Sequence, residues 1–325
     1  MQENKDYWYT LSSYCKKNFG HRLYKVPLDA HFTCPNRDGT LGNKGCIFCA
    51  GGSGDFALDF TGQTLEQQDI GVYARNGQPG QFIGYFQAYT NTYGPIEKCR
   101  KLYTAILENP QFAGIAIGTR PDCITEEILA LLKELQHTYP DKIFWVELGL
   151  QTAHEKSAQF IRRGYTNAVF EKAVCALHEI GMEVIVHMIL GIPGESCEDM
   201  VESIRYLNLY PIQGLKLQVL QYLKGTDLGD MSKTCTAMSF EEYVHTICLC
   251  LANLRKDIVI HRLTGDADKA LLIDPLWATD KKKVLNAIRK EMAKTDRYQS
   301  CLLERKGEKK YGISRNDSKS TVYRR

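Results

Sequence analysis

No stretch of this 325-residue chain approaches the roughly 18 consecutive apolar residues that a membrane helix needs. The most apolar run, residues 184–190, is interrupted by His187 and closed by Gly191. The opening residues, Met1 to Asp6, are polar and lack the apolar core of a secretory signal, so a cytoplasmic protein is expected. There is no internal repeat and no proline-rich linker, and length alone allows one large α/β domain or two smaller ones. Twelve cysteines in a reducing compartment do not suggest a disulfide framework. Most stand alone, as Cys99, Cys175 and Cys301 do, and read as small thiols. Cys248 and Cys250 lie in a helix-like apolar segment and point to different faces, which makes them poor joint ligands.

Hydrophobic residues make up 44% and charged residues 24%, both ordinary for a globular chain. The net charge of +3 hides an asymmetry. Residues 305–325 hold eight basic and two acidic side chains, or +6, which leaves −3 for the rest. This tail is poor in apolar residues and reads as mobile; it suits phosphate contact with a nucleic acid, or simple solubilisation.

Apolar periodicity alternates strands with helices. Strands are expected at 26–32, 82–89, 113–118, 143–150, 183–190 and 215–221. Ile128, Leu131, Leu132 and Leu135 follow helical spacing behind a Thr125 cap. Ser196 with Asp199 resembles a capping box, and Ser239 with Glu242 starts another helix. Six strands separated by helices imply a parallel sheet with right-handed crossovers, either open or curled into a full or partial barrel. Chemistry then gathers at the C-terminal strand ends. From about residue 255 the chain is more basic and reads as an appended helical region.

One group of cysteines is spaced like a metal site. Cys34 stands at the expected end of the first strand, and Cys46-Ile-Phe-Cys49 follows across a loop rich in Gly, Asn and Asp, with Gly51-Gly-Ser-Gly54 directly behind. Three thiolates are one short of a closed iron–sulfur or zinc site. A cubane held by three cysteines keeps one iron open to a substrate, such as the amino and carboxylate groups of S-adenosylmethionine. A redox dithiol is the weaker alternative, given the third cysteine. A structural zinc site is the stronger one, because His31 and Cys34 with Cys46 and Cys49 make a Cys₃His set. Spacing alone leaves cluster and zinc level.

Phe48 gives the Cys-x-aromatic-Cys pattern, and the chain resembles the YhcC/YtqA-type radical S-adenosylmethionine proteins, relatives of the radical domain of elongator protein three. Matching segments are Tyr7-Trp-Tyr9, Cys34 with Cys46-Ile-Phe-Cys49, and the run from Tyr85 to Tyr93. Others are Trp145-Val-Glu-Leu-Gly-Leu-Gln-Thr152, Gly191-Ile-Pro-Gly-Glu195, the run from His261 to Asp266, and Asp274-Pro-Leu-Trp277. The resemblance spans nearly the whole chain. It implies a partial (β/α)6 barrel with a C-terminal helical, basic extension. The expected boundaries are 1–25 for an N-terminal extension, 26–225 for the core, 226–304 for the helical region and 305–325 for the tail.

The resemblance further implies a [4Fe–4S] cluster on Cys34, Cys46 and Cys49. S-adenosylmethionine would lie across the strand ends, near Phe48, Gln87, Thr90, Asn91, Glu147, Gln151, Arg162 (or Arg163) and Gly191. Where many relatives carry paired glycines, this chain has Gln-Ala-Tyr-Thr-Asn from Gln87 to Asn91. A carboxylate inside a strand, as Glu147 is, needs a partner: cofactor or ion pair. Val219, Leu220 and Leu223 are candidate apolar walls. Tyr89, Tyr93, Tyr222, His187 and Cys123 stand near the strand ends without an assignable role, and no catalytic residue is named.

The activity implied is one-electron cleavage of S-adenosylmethionine, giving a 5′-deoxyadenosyl radical that takes hydrogen from a substrate carbon. Kinship points to transfer RNA and the C5 side chain of its wobble uridine, for example carboxymethylaminomethyluridine going to aminomethyluridine. An electron donor such as flavodoxin or ferredoxin is implied. Lys281 to Lys283, and Lys16, Lys17, Arg22 and Lys25, are candidate phosphate contacts. Nothing after residue 225 has the length or glycine patterning of an acetyltransferase. The alternatives are a zinc-stabilised RNA-binding module, or a radical enzyme acting on a metabolite or peptide.

Overall fold

The computed structural model describes residues 6–51, 57–62, 70–74, 80–265 and 269–303. The strands are β1 (Arg22–Asp29), β2 (Leu58–Asp59), β3 (Gly80–Phe86), β4 (Phe112–Thr119), β5 (Ile143–Gln151), β6 (Glu183–Leu190), β7 (Gly214–Val219), β8 (Tyr222–Leu223), β9 (Val259–Arg262) and β10 (Leu272–Asp274). The helices are α1 (Leu11–Phe19), α2 (Ile96–Leu107), α3 (Glu126–Thr138), α4 (Glu155–Phe160), α5 (Asn167–Glu179), α6 (Cys197–Leu207), α7 (Asp227–Asp230), α8 (Phe240–Ala252) and α9 (Lys281–Lys294).

Eight strands form one sheet in the order β2-β1-β3-β4-β5-β6-β7-β9, parallel throughout. A short antiparallel pair, β8 with β10, stands apart. The central strands are apolar along both faces, as parallel strands covered on both sides must be; β6 reads Glu-Val-Ile-Val-His-Met-Ile-Leu. The outer face packs against the amphipathic helices. Ile128, Leu131, Leu132 and Leu135 of α3 are buried behind the Thr125 cap, whose hydroxyl accepts from the Ile128 amide at 3.3 Å. Both capping boxes, Ser196 with Asp199 and Ser239 with Glu242, are formed.

The sheet is strongly curled. Tyr85 on β3 and Lys216 on β7 are four strands apart, about 19 Å along a flat sheet. Yet Lys216 Nζ donates to the Tyr85 hydroxyl at 3.1 Å, so the concave face has closed around them as a half-barrel. Helix α1 fills its base. Leu11 and Tyr14 pack against Ile83, Trp145 and Ile185, while the Tyr14 hydroxyl and the Trp145 indole each donate to the Glu183 carboxylate at 2.6 Å.

The partial barrel expected from the sequence is present, with two differences. The first strand starts earlier than expected and stops at Asp29, whose carboxylate accepts from the His31 amide at 3.0 Å; His31 then takes a left-handed backbone at φ 51° and turns the chain away. Cys34 therefore sits in the loop beyond the strand. Second, the sheet does not end at residue 225. Val259 donates to the Gln213 carbonyl at 2.8 Å and brings β9 alongside β7, and Ile260 donates to the Tyr9 carbonyl at 2.8 Å. The segments on either side of 26–225 are thus part of the sheet and its base. The tail 305–325, Gly52 to Gly54 and Asp266 lie outside the described residues.

Candidate active site

The three cysteines are free and half-buried in the loop after β1. That loop is folded by its own backbone. The Cys34 carbonyl accepts from the Arg37 amide at 2.7 Å, the Pro35 carbonyl from Leu41 at 2.7 Å, and the Asn36 carbonyl from Gly45 at 2.7 Å. Glycine is favoured at position 45: its φ is 73°, and a Cβ there would come within 2.9 Å of Arg37 Nε. Arg37 in turn donates to the Cys49 carbonyl. The buried Asn36 amide donates to the Arg162 carbonyl at 2.9 Å and approaches the Cys46 sulfur at 3.6 Å. Ile47 ties the loop to two distant segments, donating to the Ile161 carbonyl at 3.2 Å and accepting from the Leu228 amide at 2.9 Å.

The thiols open onto a cavity of about 380 Å³ at the C-terminal ends of the strands. Phe48, Gln87, Thr90, Glu147 and Gln151 share its lining with Cys34, Cys46 and Cys49. Asn91, Arg162 and Gly191 do not line it. The Asn91 amide joins two strands, donating to the Phe86 carbonyl at 3.0 Å and the Gly118 carbonyl at 2.8 Å. Arg162 pairs with Asp227. Gly191 borders a separate cavity beside Met238. Arg163 does reach the first cavity, but its guanidinium is spent on the carbonyls of Leu150, Thr152 and Tyr165 at 2.9 to 3.0 Å. Val219 and Leu220 are core residues, Tyr93 bonds Thr40 at 2.8 Å, and Cys123 is a buried thiol pushed up to about 12 by burial and then by Asp122.

Deeper in, Glu147 has a fully buried side chain and three donors. Lys25 pairs with one oxygen; Lys216 and His187 (2.8 Å) share the other. Burial alone would raise its pKa, but Lys216, Lys25 and His187 together hold it well below the carboxylate range. Burial pulls Lys216 well below the usual lysine value, and burial followed by the Lys216 charge takes His187 down to about 4. The ion-pair role weighed for Glu147 is therefore visible in the geometry. Tyr85 has two ammonium groups near its ring, Lys25 at 4.8 Å and Lys216 at 4.5 Å from the ring centre.

Several lining residues were not anticipated, notably Arg37, Arg120, Gln218, Gln221 and Lys216. Composition gave no signal for them; their position at the ends of strands was the available clue. Backbone strain adds another mark. Tyr89, Gln151 and Arg162 adopt left-handed conformations at φ 59°, 63° and 54° around the site.

A cluster fits the donors better than zinc does. Zinc holds sulfurs about 3.8 Å apart, given Zn–S bonds of about 2.3 Å in a tetrahedron. Among the described residues, His154, Asp199 and Glu202 form the one trio of such ligands with atoms within 4.8 Å of one another, so the three sulfurs are more widely spread. His31 is turned outward onto Asp59 at 2.7 Å. Burial, then the Cys49 thiol, pushes Cys46 up to about 11, so it becomes a ligand only with cationic compensation. The cavity also offers an unspent donor: among the described residues the buried Gln221 Nε2 has no hydrogen-bond partner. Among the described residues no helix is long and apolar enough to cross a membrane.

Comparison with known proteins agrees with this arrangement. YtqA of Bacillus subtilis is 38% identical over 304 residues, covering 92% of this chain and 93% of that protein. A tRNA uridine(34) acetyltransferase of Methanocaldococcus jannaschii is 28% identical over 166 residues, 49% of this chain and 29% of its own length. The solved structure of Methanocaldococcus infernus Elp3 superposes with a TM-score of 0.62 at 18% identity, which is a likeness of fold; it covers 85% of this chain, and the chain spans 64% of it. The model of the Radical SAM superfamily matches residues 39–207, and that of the Radical_SAM C-terminal domain residues 212–294. On this evidence the chain belongs to the Radical SAM superfamily, enzymes whose cofactors are a [4Fe–4S] cluster and S-adenosylmethionine.

Proposed function

We propose that this enzyme modifies transfer RNA at the C5 side chain of the wobble uridine, with carboxymethylaminomethyluridine to aminomethyluridine as the leading conversion. The observation that carries the chemistry is the convergence of Cys34, Cys46 and Cys49 on one cavity with Phe48, Gln87, Thr90, Glu147 and Gln151. Bound together, the cluster and S-adenosylmethionine supply a radical able to take hydrogen from an unactivated carbon. The chain's residues position and shield. Cys34, Cys46 and Cys49 hold the cluster, and Phe48 presents an aromatic wall backed by Ile47, Ile161 and Leu220. The amides of Gln87, Gln151, Gln218 and Gln221 offer donors and acceptors to the polar parts of the cofactor. Asn91, Arg162 and Gly191 act one layer back, through the loops they brace.

Transfer RNA is favoured by the relative named as a tRNA uridine(34) acetyltransferase. The basic end of α1, with Lys16 and Lys17, together with Arg22 and the cationic tail suits phosphate contact. The matching protein is expected in the cytoplasm, reduced by a one-electron carrier of the flavodoxin or ferredoxin type. The test is nucleoside mass spectrometry on transfer RNA from cells with and without the gene, with rescue by wild type and by Cys46→Ala. Loss of one wobble derivative, accumulation of its precursor and rescue by wild type alone supports the reading. Identical profiles under conditions of expression overturn the RNA assignment and move the search to metabolites or peptides.

A further inference from the structure

Arg37 lines the cofactor cavity together with Cys34, Cys46 and Cys49, and its guanidinium is threaded through the cysteine loop. A Cβ at Gly45 would meet its Nε at 2.9 Å, and a Cβ at Gly51 would meet its Nη1 at 3.6 Å. Both glycines have left-handed backbones, φ 73° and 86°, so the group is lodged where two turns of the loop leave room for it. Its Nη2 donates to the Cys49 carbonyl, which satisfies a hydrogen but supplies no counter-charge. Other cations of the cavity have carboxylates: Arg120 has Asp122 at 2.7 Å, Arg163 has Glu155 at 3.3 Å, and Lys216 has Glu147. Arg37 does not. Asp38, next in the chain, turns its carboxylate to the Thr40 amide at 3.0 Å, and among the described residues no carboxylate lies within ion-pair distance of the Arg37 guanidinium.

The acidic groups that weigh most on Arg37 belong to the socket itself. Burial works against its charge, but the Cys49 thiol, followed by Tyr89 and Cys34, outweighs burial and moves its pKa up. Cys46 is served differently, by the neutral Asn36 amide at 3.6 Å. Three thiolates around a [4Fe–4S] core leave the socket net negative, and one more electron makes it more so. A cation fixed beside two of those thiolates favours the reduced state over the oxidised one. We propose that Arg37 is the built-in counter-charge of the cluster socket, and that it raises the reduction potential at which a one-electron carrier can load the enzyme. It acts as a positioning residue, through Cys34 and Cys49, and touches neither substrate nor reacting atoms. The inference rests on membership of the superfamily and is independent of the RNA reading.

The test is a redox titration of the full chain, reconstituted with its cluster under anaerobic conditions and followed by electron paramagnetic resonance. Wild type is compared with Arg37→Lys and Arg37→Gln, and iron per chain is counted first. Lysine keeps the charge and loses the planar fork; glutamine loses the charge. In Arg37→Gln the ratio of reduced to oxidised cluster at the wild-type midpoint is expected to fall about tenfold, equivalent to about 59 mV for one electron. In Arg37→Lys the ratio should stay within about threefold of wild type. An unchanged or raised midpoint in a fully loaded Arg37→Gln overturns the proposal. So do equal falls in the two variants, because a purely structural role of the fork would be lost in both. If Arg37→Gln does not load, Arg37→Lys decides. Wild-type iron with a midpoint within that threefold range supports the charge, whereas a lysine variant that fails to load, or loads with a tenfold shift, overturns it.

Discussion

Glu147 shows how one side chain can be fixed by its surroundings while its role stays open in the sequence. Three donors converge on a carboxylate with no exposed surface, and two of them, Lys25 and Lys216, are themselves withdrawn from solvent. Removing its charge strands both lysines. Glu147→Gln is expected to lose about 3–5 kcal/mol of stability, read as a lowered thermal midpoint. Lys216→Met in the same chain should restore part of the loss, a coupling that a double-mutant cycle measures. His187 gives a pH signature. Its folded value of about 4, set by burial and then by Lys216, lies below the roughly 6.5 of an unfolded histidine. Between those values the unfolded chain binds more protons, so stability rises with pH across that window and levels off above it. His261, also lowered by burial, contributes to the same slope. His187→Gln should shrink the difference in thermal midpoint between pH 5 and pH 7; an unchanged difference would show that the ring is not held neutral by the fold.

At the scale of elements, the cysteine loop depends on a glycine as well as on its spacing. Gly45→Ala meets both a left-handed backbone and the Arg37 guanidinium. A loss of about 1–2 kcal/mol is expected, with reduced iron per chain after anaerobic reconstitution. Helices were legible here because their signals are local. Thr125, Ser196 and Ser239 cap where their side chains suggested, and β4 to β7 fall close to their apolar runs. The strand ends were less so. Nothing in residues 26–32 says that Asp29 will fold back on the His31 amide, and a two-residue strand such as β2 has no period to detect. The site divides in the same way. The cysteines and Phe48 share one stretch of chain, whereas Lys25, Lys216 and Arg262 are brought together only by the curl of the sheet.

For the molecule as a whole, that curl decides where a domain may be cut. The boundary expected at 225 from the resemblance leaves out β9, which lies beyond it and pairs with β7, while α1 lies before the other expected limit and fills the base. A chain ending at residue 225 should therefore expose the β7 edge and fail to fold as a monomer. Size exclusion and circular dichroism check this; a monodisperse fragment with native helix and strand content would contradict it.

The stitching of Ile47 also orders events in time. Its amide and carbonyl are bonded to Ile161 and Leu228, both more than a hundred residues downstream. Contacts of such long span form late, after the intervening chain has been synthesised and gathered. A nascent chain that has not yet reached Leu228 presents three thiols without the frame that spaces them. Iron delivered that early finds loose ligands, and iron delivered afterwards finds a built socket, so maturation of this enzyme is expected to follow translation rather than accompany it.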